Sequence, residues 1–385
     1  MRRIYLDNNA TTPIHPQVAD AIKPFLNGLF GNPSSTHFAG RDVKASYDAA
    51  RAGIADMIGA KTDEVVITSC GSEADNHAIK GIACMAENKG HIITSTVEHP
   101  AVLNVCRHLE TKGFSVTYVP VDGFGLVDPD DVKDAIRKDT LLVSIMYANN
   151  ETGTVMPIRD IANIAHERGV PVHSDMVQAL GKIKVDMTDL GVDLASFSGH
   201  KVYAPKGVGA LYVREGTHLG SLVHGGHQEA GRRAGTENVI GIVAFGKACE
   251  VAGSHAEEYN ARLEMLRKRL LDGILERIGH VRLNGHPTQR VPNTLNLSFE
   301  FVESESLLFA LDRKGVAVSS GSACSSGSDE PSHVLLAMGI PGPVCQSALR
   351  FSLGWVNTDD DIDYVLDILP GIVGKLREMS PLFQK

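Results

Sequence analysis

Between Val65 and Val213, short apolar runs alternate with helix-length amphipathic stretches, and this alternation is what most limits the architectures open to the chain. VVITS, HIITS, VTYVP, LLVSIMY, VPVHS, DLASFS and GVGALYV are rich in β-branched residues and bounded by Gly, Pro, Ser or charged residues. Strands that recur with helices between them predict an α/β fold. The central sheet is expected to be mostly parallel, with helices on both faces and any site at the carboxyl ends of the strands. From about Glu237 to Ile278 the periodicity becomes helical throughout. Beyond it, TLNLSFE, VAVS and SALRFSLG with a closing helix predict a smaller α/β unit. The expected division is a large domain over residues 15–259 and a small domain built from residues 1–14 and 260–385.

Three constellations sit at the ends of these runs. VDLASFSGHKVYAPKG places Ser198, His200 and Lys201 just beyond a buried strand. A lysine in a partly desolvated site loses its proton readily and can form a Schiff base, which is how pyridoxal phosphate is held in enzymes that use it. Alone, such a lysine is more often a surface residue beyond a core strand. GVPVHSDMVQALGK ends another strand in Asp175, followed by Gln178. A buried carboxylate needs a cationic partner, and a protonated pyridine nitrogen supplies one; a helix N-cap is the other use of an Asp there. VVITSCGSEADNHAIKG reads as strand, turn and helix, with Gly71 and Ser72 at the helix N-terminus, where unpaired N–H groups favour a phosphate. Ser72 with Glu73 also reads as an ordinary pair of capping residues.

With all three present, the chain resembles the fold-type I pyridoxal phosphate enzymes of the class V aminotransferase group, and within them the class I cysteine desulfurases. The resemblance runs nearly end to end, through YLDNNATTP, FGNPSSTH, VEHPAV, ANNETG, SGHKVYAPKG, GGHQEAGRRAGTENV, SSGSACSSGSDEPSHVL and RFSLG. The GHQE and GRRAGTEN segments are most similar to the nitrogen-fixation type. It implies that Lys201 carries the cofactor and then moves the substrate's α-proton. Asp175 pairs with the pyridine nitrogen, Gln178 bonds the phenolate oxygen, and Gly71, Ser72, Ser198 and His200 hold the phosphate. Thr236 reaches the phosphate of a neighbouring subunit, so the resemblance implies a homodimer. His99 lies over the cofactor ring as a stacking and acid–base group, and Asn150 and Arg350 clamp the substrate carboxylate, which a planar guanidinium recognises well.

Cys324 is the residue on which the activity turns. Its serine- and glycine-rich surroundings make a poor core segment and a pliant tether. The implied reaction converts L-cysteine to L-alanine, leaving the sulfur as a Cys324 persulfide that an iron–sulfur scaffold protein accepts. A selenocysteine lyase or a transaminase on the same fold is the alternative, though a transaminase needs no thiol there. A non-enzymatic protein that only binds a sulfur-cluster scaffold, or holds a metal through His173, Asp175 and His200, is the remaining one. One departure falls in the phosphate turn: many relatives have Thr-Glu-Ser-Asn-Asn where this chain has Ser72-Glu73-Ala74-Asp75-Asn76.

Composition fits this class. A net charge of −9 and the lack of Lys/Arg blocks argue against nucleic acid as a partner, and no apolar run has the length of a membrane span. The N-terminus has no secretory apolar segment, and the six cysteines lack metal-type spacing. Reduced thiols and a cytoplasmic location are the expectation.

Overall fold

The computed structural model describes residues 2–86, 88–320, 330–381 and 383. The chain starts with β1 (Ile4–Tyr5) and two helices, Pro16–Asn27 and Phe38–Met57, and then enters the large sheet. Its strands are β2 (Val65–Thr68), β3 (His91–Ser95), β4 (Ser115–Val119), β5 (Thr140–Ser144), β6 (Val172–Asp175), β7 (Leu194–Ser198) and β8 (Gly209–Val213). Their spatial order is β2-β8-β7-β6-β5-β3-β4. All neighbours are parallel except at β8, which runs antiparallel to both β2 and β7. The link from β7 to β8 is too short for the crossover that a parallel neighbour requires, so the chain turns back on itself.

Burial alternates along the strands as a sheet covered on both faces demands. Val65, Ile67, Ile93, Val143, Ala195 and Phe197 pack into one core. Their neighbours Val66, Ile92, Leu142 and Leu194 pack into a second core on the opposite face. Since β2, β3, β5, β6 and β7 all point the same way, their carboxyl ends open on one edge of the molecule.

After β8 come two long helices, Val239–Ser254 and Ala256–Arg277, separated at His255. The uninterrupted helical periodicity expected over this stretch thus breaks after Gly253-Ser254, two residues that favour a helix end. The smaller unit follows, with β9 (Val281–Asn284), β10 (Thr294–Phe299), β11 (Val316–Ala317), β12 (Ser319–Ser320) and β13 (Ala348–Ser352). Four of these form an antiparallel sheet in the order β12-β13-β10-β9, and β11 pairs with β1. Leu295, Leu297 and Phe299 of β10 and Leu349 and Phe351 of β13 face the helices Ala256–Arg277 and Asp359–Met379 in a third core, which also takes in Ile4 and Leu6. The opposite face of β10, with Thr294, Asn296 and Ser298, is buried and polar and turns towards the large sheet.

The N-terminal arm ties the two units together. Asn8 and Asn9 bond Ser352 of β13, whereas the Thr12 and His15 amides donate to the carbonyls of His200 and Tyr203 beyond β7.

Candidate active site

A cavity of about 320 Å³ opens at the carboxyl ends of the parallel strands. The turn after β2 contributes Cys70, Gly71 and Ser72, the turn after β3 contributes His99, and the segment after β5 contributes Met146, Ala148 and Asn150. Asp175 ends β6 and leads to Val177 and Gln178, while β7 delivers Ser198, His200 and Lys201. Asn9 and Ala10 of the N-terminal arm and Arg350 of β13 close the remaining sides. Ligands of open α/β sheets bind at this edge because the strands end there with unsatisfied backbone and short loops.

Lys201 follows β7 by one tight turn, and its Nζ donates to the carbonyls of Asn9 and Ala10, both at 2.6 Å. Asp175 is buried, with Oδ1 accepting from the Val177 amide at 2.9 Å. Burial raises its pKa, a shift that His99 and the Val177 hydrogen bond partly offset. Its charged neighbours among the described residues are His99 and Lys201, and both favour its ionised form. His99 caps the helix Pro100–Glu110, with Nδ1 accepting from the Ala101 amide at 3.1 Å, so the proton of the neutral ring sits on Nε2. Its pKa is lowered by burial, against the pull of Asp175 and with a push from Lys201.

The helix Gly71–Met85 begins without a side-chain cap, which leaves its first N–H groups facing the cavity edge. A Cβ at Gly71 would lie 2.8 Å from Val177 Cγ2 and 3.4 Å from Ser198 Cβ, so only glycine lets the chain pass this close. The Ser198 hydroxyl caps nothing, and His200 Nδ1 is taken up by Thr11 Oγ1 at 3.1 Å. Burial first, and the neighbouring Lys201 second, push the His200 pKa down to about 4, which makes it a neutral donor or acceptor at working pH. Gln178 donates from Nε2 to the Asn9 carbonyl at 3.0 Å. Thr236 is exposed and does not line this chain's cavity.

Arg350 is 1% exposed, an expensive place for a guanidinium. It is held by Asp7 at 2.8 Å and by the Asn150 carbonyl at 3.0 Å, and among the described residues its Nε has no partner. That leaves a buried cationic donor beside a cavity, which suits an anionic substrate group. Cys324 lies outside the described residues. The segment that carries it is anchored on both sides next to the site: Ser319 pairs in register with Arg350, the Ser332 hydroxyl donates to Glu151 at 2.5 Å, and His333 Nε2 bonds the Glu98 carbonyl at 3.0 Å.

The structure adds residues that the motifs did not assign. Asn9 and Ala10 receive the lysine, and Asp75 and Glu98 are buried acids beneath the site. Asp75 at least was visible as a departure in the phosphate turn. Asp75, His99 and Asp175 bring ligand atoms within 4.8 Å of one another. The metal set of His173, Asp175 and His200 is not assembled, because the His173 nitrogens are engaged by the Ser144 and Ser196 hydroxyls at 2.8 and 2.9 Å.

The aminotransferase class-V family model matches residues 4–365. The cysteine desulfurase IscS of Methanosarcina thermophila is 52% identical over all of this chain and 95% of its own length. A cysteine desulfurase of Gluconacetobacter diazotrophicus is 49% identical over all of this chain and 96% of its own. Among solved structures, a NifS-like protein superposes with a TM-score of 0.92 at 38% identity, covering 97% of this chain and all of that one. The structure of SspA in complex with cysteine gives 0.82 at 39% identity, over 91% of this chain and 98% of that one. A chain with this cavity, this order of strand-end residues and these full-length likenesses belongs to the class-V aminotransferase family of pyridoxal phosphate enzymes, and within it to the cysteine desulfurases.

Proposed function

We propose that the protein converts L-cysteine to L-alanine and leaves the sulfur as a persulfide on Cys324. The observation that carries this reading is the 52% identity over the whole chain with a cysteine desulfurase. The anchoring of both flanks of the Cys324 segment beside Arg350, Glu151 and Glu98 supports it further.

The residues present fit pyridoxal phosphate. Asp175 is a buried carboxylate at the cavity wall, Gly71 and Ser72 open an uncapped helix N-terminus, and Lys201 lines the same cavity. The bound cofactor supplies an electron sink that makes the substrate's Cα–H acidic. Asp175 would hold the ring nitrogen and keep its proton there. Gly71, Ser72, Ser198 and His200 hold the phosphate, and Gln178 holds the phenolate oxygen.

Arg350 and Asn150 orient the substrate carboxylate, which sets the Cα–H towards Lys201. The Lys201 amine takes that proton, and its contacts with Asn9 and Ala10 hold it within the cavity wall. His99, neutral because burial disfavours its charged form, would exchange protons at Nε2 beside the cofactor. The Cys324 thiolate attacks the substrate sulfur: an S–S bond forms, the C–S bond breaks, and its electron pair passes to the substrate Cβ, which a proton completes to the methyl group of alanine. Atoms balance as one cysteine and one enzyme thiol giving one alanine and one enzyme persulfide.

The persulfide then passes to an acceptor, and an iron–sulfur scaffold protein in the cytoplasm is the partner we infer, on the strength of the nitrogen-fixation wording of the GHQE and GRRAGTEN segments. The test is incubation with L-cysteine and a thiol reductant, with sulfide and alanine measured together. Equal amounts are expected. Cys324→Ala should still bind L-cysteine and pyridoxal phosphate while sulfide release collapses; full sulfide turnover by that variant would overturn the persulfide route.

A further inference from the structure

Behind the cofactor cavity, at the junction of the two units, lies a second and mostly apolar cavity of about 190 Å³, with Lys182 in its wall. Lys182 is 7% exposed. The chain reaches it through Gly181, whose φ of +75° turns the next residue inward and whose hydrogen faces Val202. Lys182 Nζ contacts two oxygens, Gln178 Oε1 and, at 3.3 Å, Asn9 Oδ1. Both are neutral amide oxygens, and among the described residues no carboxylate pairs with Lys182.

Its charged neighbours are Lys201, from the turn after β7, and Arg350, from β13. His15, Tyr203, His255, Tyr259 and Arg262 complete the titratable groups around the same cavity, and none of them is an anion at neutral pH. An ammonium brings three donors and no acceptor, whereas an amine needs to place only two protons. Two amide oxygens in an apolar wall, next to two cations, match the amine.

We propose that Lys182 is held uncharged behind the cofactor site and is a positioning residue for Gln178. By donating to Gln178 Oε1 it fixes which end of that carboxamide is which. Nε2 is left as the donor on the side of the Asn9 carbonyl and the cavity. At Asn9 Oδ1 it joins Asn293 Nδ2, which donates to the same oxygen at 3.2 Å, and Asn9 Nδ2 is left to donate to the Asn150 carbonyl at 3.1 Å and to Thr294 Oγ1 at 2.8 Å. Burial, with Lys201 and Arg350 adding to it, lowers the Lys182 pKa well below the ordinary lysine value. Without Lys182, Gln178 can turn its oxygen to the cofactor and lose the bond to the phenolate.

The role in cofactor binding rests on the pyridoxal phosphate reading, but the charge state does not. In the apoprotein with ¹³Cε-labelled lysine, the resonance missing from Lys182→Met should keep its amine shift down to pH 8 or below, where ordinary lysines are ammonium. An ammonium shift across pH 6–9 overturns the proposal. Lys182→Met should leave the thermal midpoint of the apoprotein unchanged or raised, because the variant no longer has to discharge an amine on folding. It should nevertheless weaken pyridoxal phosphate affinity about fivefold, the equivalent of one hydrogen bond, and shift the absorption of the bound cofactor.

Gln178→Ala should show the same loss, and adding Lys182→Met to it should cost nothing more. A wild-type spectrum and affinity in Lys182→Met, or additive losses in the double variant, overturn the positioning role. If wild-type protein binds no pyridoxal phosphate at all, it is the cofactor reading that fails, and the ¹³C titration still decides the state of Lys182.

Discussion

The acids beneath the site show how single residues are tuned by where the fold puts them. Glu98 is fully buried beside His99, and its Oε1 accepts from the Ser95 hydroxyl at 2.5 Å and the Met146 amide at 3.0 Å, while Oε2 has no partner among the described residues. One oxygen thus acts as a carbonyl and the other as the natural seat of a proton. Burial is the main cause that raises its pKa to about 8, far above the usual carboxyl value. A folded pKa raised in this way stabilises the protein below the unfolded carboxyl pKa, and that contribution is lost as pH rises towards about 8. Glu98→Gln keeps the carbonyl role and cannot ionise. The variant should be more stable than wild type at pH 8 and should show a flatter unfolding free energy between about pH 5 and 8, by up to ~1.4 kcal/mol per pH unit. Denaturant melts at several pH values check this, and parallel wild-type and variant curves would refute it. On the proposed function Asp175 faces the opposite demand, since a pyridine nitrogen would need its charge. Asp175→Asn should therefore fold normally yet lower alanine formation about 10- to 100-fold, the loss of one charged hydrogen bond; a wild-type rate would remove the carboxylate from the mechanism.

Among the elements, the helix Gly71–Met85 carries the most function for the fewest atoms. Its uncapped N-terminus offers N–H groups and a favourable dipole to a phosphate, and Gly71 lets Val177 and Ser198 close around it. In Gly71→Ala the new Cβ meets Val177 at 2.8 Å, so the turn must shift by tenths of an ångström. The expected result is weaker pyridoxal phosphate binding, about tenfold or more by fluorescence titration, with a much smaller change in the melting temperature of the apoprotein. Equal losses in both would mean that the glycine serves packing alone. This element, like β2 to β7, was legible in the sequence because apolar runs with period-two burial and Gly/Ser turns follow from local chemistry. The reversal of β8 was not legible as such, since direction depends on how long a link must be to cross the sheet. The break at His255 was hidden inside a continuous helical period. Lys201 and Asp175 announced themselves by ending strands. Asn9 and Lys182 did not: one lies in an N-terminal arm and the other in ALGKIKV, where a lysine reads as solvated, and only the meeting of three distant segments buries both. The residues around Cys324 were read from the sequence alone.

At the scale of the whole molecule, the site is shared among parts that local folding does not bring together. The N-terminal arm joins β13 to the turn after β7, and Arg350, Asn9 and Lys201 meet across that junction. Thr236 lies outside the lining of this cavity. It is exposed, yet its loop is firmly fixed: Arg233 pairs with Glu73 at 2.7 Å, and Glu229 takes hydrogen bonds from Arg51, Tyr47 and the Ile67 amide. The backbone of Glu229 and Ala230 is held at φ of 51° and 56°, conformations that persist only where the surroundings enforce them. A rigid loop that presents a hydroxyl to solvent fits a residue used by a second copy of the chain. Our reading is that two subunits exchange these loops, with Thr236 of each completing the phosphate site of the other. Chains bearing Lys201→Ala and chains bearing Thr236→Ala, unfolded together and refolded as a mixture, should then form heterodimers in which one site carries both lesions and the other carries neither. Activity should rise on mixing above that of either variant alone, towards about a quarter of the wild-type value for random pairing, since half the dimers then hold one intact site of two. Sedimentation would report the dimer directly. A fully active monomer, or a mixture no better than the average of its parts, would place Thr236 outside the site.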